Sequence, residues 1–133
     1  MRKGIRSIKG LVAVAAVAGL LGMAPVATAK PGDVTKHGSC SATSDWKLKL
    51  SPEDGKIQVE FEVDSNHAGQ TWSVRLSDNG TNIFTGSRMT KAPSGSFTVR
   101  KVTMNRVGTD VIRGRAVNAA SGEVCAGVAS FTA

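Results

Sequence analysis

Apolar and polar residues alternate with a period of two along most of this chain. Ile57, Val59, Phe61 and Val63 interleave with Lys56, Gln58, Glu60 and Glu62, and Trp46, Leu48 and Leu50 with Lys47 and Lys49. Trp72, Val74 and Leu76 likewise alternate with Ser73, Arg75 and Ser77. Successive side chains of a strand point to opposite faces, so each run has one face to bury and one to leave wet. That is the signature of antiparallel sheet with one side exposed.

Turn signals punctuate these runs about every ten residues. Ser51-Pro52-Glu53-Asp54-Gly55 places Pro and Gly where a turn uses them. Asp78-Asn79-Gly80 is a strong hairpin signal, because Asn and Gly both tolerate positive φ. Residues 64–69, 92–95 and 105–109 and the pair Ser121-Gly122 mark further turns. Between them lie expected strands at 81–88, around Phe97 and Val99, at 111–118 and at 123–132. The last is ambiguous in phase: Val124, Ala126 and Val128 share one face and Cys125 and Phe131 the other, with Gly127 a candidate bulge that resets it. Seven to eight short strands, each with one apolar face, predict an all-β, antiparallel β-sandwich in a single domain.

The N-terminus breaks the pattern. Arg2, Lys3, Arg6 and Lys9 precede an apolar run from Leu11 to Met23, then Pro25 and the small residues Ala27-Thr28-Ala29. This is the layout of a cleaved secretory signal peptide over 1–29, which leaves a mature chain beginning at Lys30 outside the cytoplasm. Residues 30–37 read as a flexible lead-in and 38–133 as the β-sandwich domain. The signal takes four of the 17 Lys and Arg and none of the ten Asp and Glu, so the mature chain carries only about +3 of the +7. Much of the basicity is therefore a targeting device, which argues against nucleic acid as a partner. With the signal removed, no membrane partner is expected.

Cys40 and Cys125 are the two cysteines. In an exported chain such a pair is read as a disulfide. It would close about 86 residues, and the chain-entropy model assigns such a loop about 4–5 kcal/mol. Gly38-Ser39-Cys40 has the form of a lipoprotein box, but it lies far beyond the apolar run.

The segment Arg115-Ala116-Val117-Asn118-Ala119-Ala120-Ser121-Gly122-Glu123 resembles the penultimate strand and following hairpin of fibronectin type III domains, where an R-A-x-N-x-x-G-like segment is common. The resemblance implies an immunoglobulin- or fibronectin type III-like sandwich. The family's tyrosine would fall near Asp110, and this chain has no tyrosine, so the corner must be secured otherwise, with the disulfide a candidate. More broadly, signal, size, cysteine pair and strand pattern resemble small secreted immunoglobulin-like proteins of actinobacteria, many without an assigned function.

No residue cluster reads as catalytic. His67 near Asp64 reads as a turn residue, no G-x-S-x-G elbow occurs, and Glu60 and Glu62 read as solvated charges on an exposed face. Asp64 to Gly69 starts like a calcium loop, but Arg75 stands where the bidentate carboxylate belongs, so no metal is expected. Asn79-Gly80-Thr81 fits a glycosylation acceptor and is explained by the hairpin. Trp46 and Trp72 fall on the apolar phase and read as core, which weakens a sugar-stacking role. The surface feature that suggests a site is basic: Arg113 and Arg115 point the same way, and in a fibronectin-like sandwich their strand pairs with the one carrying Arg75. Three guanidiniums on one sheet face could hold carboxylates or phosphates.

These readings lead to a secreted, non-enzymatic binding module without cofactor. An anionic cell-wall polymer or an extracellular protein is the candidate partner. Two alternatives come from other classes: an inhibitor of secreted hydrolases working through Arg88-Met89-Thr90-Lys91 or Thr103-Met104-Asn105-Arg106, and a small-molecule carrier, which would need a cavity.

Overall fold

The computed structural model describes residues 32–133, and the expected signal peptide with its cleavage before Lys30 lies outside them. The expected strands form, preceded by one that the pattern does not announce: β1 (Val34–Ser39), β2 (Asp45–Glu53), β3 (Lys56–Asp64), β4 (Thr71–Asp78), β5 (Thr81–Met89), β6 (Ser96–Met104), β7 (Thr109–Asn118) and β8 (Val124–Thr132). They form two four-stranded antiparallel sheets, in the orders β1-β2-β3-β6 and β5-β4-β7-β8. This is the expected all-β sandwich, with eight strands.

The period-two pattern fixes which side of each sheet is buried. Ile57, Val59, Phe61 and Val63 of β3 meet Trp72, Val74 and Leu76 of β4 and Ile112 and Ala116 of β7 in one core. Phe61, Trp72, Leu48, Leu50 and Leu76 are completely buried. Burying such a side chain contributes about 1.5–3 kcal/mol. Trp72 and Phe97 stack at a tilt, with centroids 6.4 Å apart.

Two glycines let the large rings seat. Gly114 and Gly127 face each other across β7 and β8. A Cβ on Gly114 would lie 2.8 Å from the Phe61 ring, and one on Gly127 only 2.6 Å from Trp46. Gly127 is thus no bulge that resets β8. The register runs straight through it, and Cys125, Gly127, Ala129 and Phe131 share the inward face while Val128 stays exposed. The bulge in this sheet falls instead between Leu76 and Ser77.

β1 begins at Val34, inside the stretch whose composition suggests a lead-in. Its six residues carry too few apolar positions to announce a strand, and what orders them is backbone pairing with β2, from Val34 opposite Leu50 to Ser39 opposite Asp45. β1 and β2 lie against β8 on one flank of the sandwich. Cys40 and Cys125 are joined there, with an S–S distance of 2.05 Å. Glu123 reinforces this flank by accepting the Ser44 N–H at 2.8 Å, the Ser44 hydroxyl at 2.9 Å and the Ala42 N–H at 3.1 Å.

The opposite flank, between edge strands β5 and β6, is guarded differently. Arg88 and Lys101 both approach the half-buried Phe84 ring, at 4.9 and 6.0 Å from its centroid. Cationic side chains at the open sides of a sandwich oppose edge-to-edge pairing with another chain.

Candidate functional site

Arg75 comes from the middle of β4, and Arg113 and Arg115 from the middle of β7. Their neighbours Val74, Leu76, Ile112 and Ala116 are core residues, so alternation forces all three arginines outward, where they are exposed. The register sets Arg75 directly opposite Arg115, and Ser77 opposite Arg113. Opposed residues in such a pair have Cβ atoms about 5 Å apart. Arg113 lies one step along β7, about 7 Å at strand rise.

On the other side of β4, Thr85 faces Arg75 and Ser87 faces Ser73. The bulge makes this pairing. The Asn79-Gly80 turn, with φ of 49° and 85°, would otherwise put Phe84 opposite Arg75, and the extra residue moves it opposite Leu76 on the inner face. A depression of about 320 Å³ results, lined by Ser73, Arg75, Thr85, Gly86, Ser87 and Arg115. A second, of about 410 Å³, shares Arg75 and Thr85 and adds Ser77 and Asn82. The structure therefore brings Arg75 and Arg115 together and leaves Arg113 beside them, outside both hollows. The flanking hydroxyls carry no distinctive sequence signal, and only the bulged register reveals them.

The two outer faces differ in charge balance. On the β1-β2-β3-β6 sheet, Lys47 meets Glu62 at 3.8 Å, Arg100 meets Glu60 at 3.6 Å and Lys49 meets Asp33 at 3.6 Å. That sheet also sets Asp45 opposite Asp64, but Asp64 accepts the Asn66 N–H at 2.9 Å and Lys47 follows two residues after Asp45. On the β5-β4-β7-β8 sheet the outward positions other than the three arginines are uncharged. None of the three arginines forms an ion pair among the described residues. Like charges placed directly opposite each other destabilise a sheet.

No family model and no curated protein sequence matches this chain. Among solved structures, a chitin-binding domain from Burkholderia pseudomallei is similar over 58% of this chain, at 11% identity and a TM-score of 0.36. The match spans 52% of that domain, about half its length. Its chitin binding is not carried over to this chain.

The remaining candidates have structural occupations. Glu60 and Glu62 pair with Arg100 and Lys47. The Nδ1 of His67 lies 2.9 Å from the Ser65 carbonyl, and the His67 carbonyl accepts the Thr90 hydroxyl at 2.6 Å. Asn79, in the glycosylation-like triplet, accepts the Val111 N–H and donates to the Thr109 carbonyl. Trp72 is fully buried and Trp46 is half-buried over Gly38 and Gly127, so neither offers an open stacking platform. Arg88 and Met89 lie in β5, and the adjoining Thr90 is buried. In the second candidate loop Thr103 is also buried, which leaves Met89 and Met104 as exposed apolar side chains.

One buried polar cluster had no sequence signal beyond scattered Asp and Arg. Asp78 at the end of β4 and Asp110 at the start of β7 have fully buried side chains. Arg106 reaches between them, with its Nη1 2.8 Å from Asp78 Oδ2 and 3.5 Å from Asp110 Oδ1. The Thr103 hydroxyl donates to Asp78 Oδ2 at 2.7 Å, and the Arg106 backbone N–H to Asp110 Oδ2 at 3.0 Å. Burial pushes the Asp78 carboxyl above its ordinary range. The Thr103 hydroxyl and Arg106 pull it back, while Asp110 pushes it up further. Asp110 thereby also pins the turn between β6 and β7, by accepting a backbone N–H four residues upstream. The disulfide sits near the far end of β7, with Cys125 opposite Ala116.

Proposed function

We propose that the protein is an exported, non-enzymatic binding module of immunoglobulin- or fibronectin type III-like build that holds an anionic cell-wall polymer on the outer face of the β5-β4-β7-β8 sheet. The observation that carries this reading is the facing pair Arg75 and Arg115, with Arg113 one step away, on a face without a carboxylate. A merely solubilising surface interleaves both signs, as the other sheet does. Here an extended anion would supply the missing countercharge. The disulfide fits an oxidising, extracellular setting.

The test is retention of the disulfide-intact protein on anionic wall polymer, with an uncharged polysaccharide such as chitin as the control matrix. Retention on the anionic matrix is expected at low salt and should fall as screening shortens the reach of the arginines. Replacing Arg75, Arg113 and Arg115 together by Gln should abolish it without lowering the thermal midpoint, since exposed charges contribute little to stability. Retention that survives the triple replacement, or equal retention on chitin, would refute the reading. Binding lost instead on replacing Met89 or Met104 would favour the hydrolase-inhibitor alternative.

A further inference from the structure

We infer that Arg75 and Arg115 form a two-guanidinium clamp for a phosphate group, so that the polymer held by this face is a phosphodiester rather than a polycarboxylate. This rests on the reading of the face as an anion-binding surface and specifies its chemistry. Three features of the site support it. The two arginines stand directly opposite each other on neighbouring strands and line one depression, so they approach a single anion from two sides. A carboxylate is planar, and one guanidinium fork lying in its plane already engages both oxygens. The non-bridging oxygens of a tetrahedral phosphate diverge and offer acceptors to a guanidinium on each side. Finally, Ser73 and Ser87, opposed across β4 and β5, bring hydroxyl donors to the same hollow, and among the described residues no carboxylate lines it to repel the anion. Arg113 stands about 7 Å along the strand, placed to meet the next charge of a chain rather than the same one.

The clamp predicts a specific pattern of losses. Lysine keeps the charge but not the fork, so Arg75→Lys and Arg115→Lys should each weaken the site while leaving the net field unchanged. Inorganic phosphate and acetate, titrated at equal ionic strength into the disulfide-intact protein, would be followed by the arginine Nε–H resonances. Phosphate should produce a saturable shift at Arg75 and Arg115 at roughly a tenth or less of the acetate concentration, and either lysine variant should weaken it roughly tenfold, the scale of one lost charge-assisted fork. Lys47→Gln, on the outer face of the other sheet, should leave the phosphate response within about twofold. Equal responses to phosphate and acetate, or a phosphate response that depends on Lys47 as strongly as on Arg75, would overturn the clamp.

Columns of polyphosphate and polyglutamate at one salt concentration separate this failure from that of the wider reading. Stronger retention on polyphosphate, lost in the lysine variants, supports the clamp. Equal retention on both, insensitive to the lysine variants but abolished by the triple Gln replacement, refutes the clamp and leaves the basic face standing. No retention on either refutes both.

Discussion

Replacing Asp78 by Asn should change how the stability of this domain depends on pH, in the direction opposite to that of most aspartates. The folded chain puts two fully buried carboxyl groups against one guanidinium, and among the described residues Asp78 Oδ1 has no hydrogen-bond partner while Oδ2 is held by Thr103 and Arg106. A proton on Asp78 reduces the buried charge to one carboxylate facing one Arg106 and lets Oδ1 donate. The folded state therefore holds that proton more tightly than the unfolded chain does, for which the ordinary value is 3.8. With the folded value raised, the native state binds more protons across the interval above 3.8. Stability from this group is thus complete below that pH and is lost as pH rises through the folded value. At its steepest the loss is about 1.4 kcal/mol per pH unit for one proton. In a domain of this size each kcal/mol moves the thermal midpoint by about 4–8 °C. Asn keeps the shape, accepts from Thr103 and Arg106 through its oxygen, and can donate from its nitrogen without titrating. Urea unfolding of both proteins from pH 4 to pH 8 isolates the effect, because other carboxylates cancel in the difference. The advantage of Asp78→Asn over the parent should grow as pH rises. A difference that stays constant or shrinks would show that Asp78 is an ordinary carboxylate and that the argument from burial is mistaken.

Two further outcomes test the packing. Gly127→Ala should destabilise the domain by about 1–3 kcal/mol in denaturant unfolding, because the new methyl would lie 2.6 Å from the Trp46 ring and overpacking of a filled core has costs on that scale. A neutral effect would mean that Trp46 is free to move. Cys40 and Cys125 should be fully oxidised by mass spectrometry of unreduced protein, and reduction should lower the thermal midpoint by more than about 10 °C, as loss of about 4–5 kcal/mol implies. Two free thiols, or a small shift, would contradict this.

The alternation of β3, β4 and β7 made the fold legible, because a sheet with one buried face leaves its period in the sequence. Asn79-Gly80 likewise placed a hairpin that the backbone adopts, with both residues at positive φ. Three features were not legible, each for a different reason. β1 is held by main-chain pairing, to which side-chain composition is nearly blind. The phase of β8 depended on Gly127 giving way to a ring from the opposite sheet, a contact that only the tertiary structure creates. The bulge between Leu76 and Ser77 decides which β5 residues surround Arg75, and no residue there announces it. Of the candidate site, the shared face of Arg113 and Arg115 could be read from their spacing, whereas Arg75 came beside them only through the fibronectin-like resemblance, and the register sets Arg75 opposite Arg115. The Asp78, Asp110 and Arg106 cluster stayed hidden, since its members are scattered from 78 to 110 and meet only when β4, β6 and β7 converge.

The staple between Cys40 and Cys125 also sets how the domain would carry tension. A pull applied through the two ends of the described chain enters along β1, crosses at Cys40 directly to Cys125 and leaves along β8, bypassing the chain between two cysteines that are 85 positions apart. Strands β2 to β7, with the arginine pair on β4 and β7, sit inside the covalent loop and cannot be drawn out by that pull. Only β1 and the part of β8 beyond Cys125 could peel away. A chain tethered at one end and dragged by a bulky polymer at its face would meet the force along a different line, from β4 and β7 to the tether, and there the hydrogen-bonded ladders, not the sulfur bridge, would have to hold.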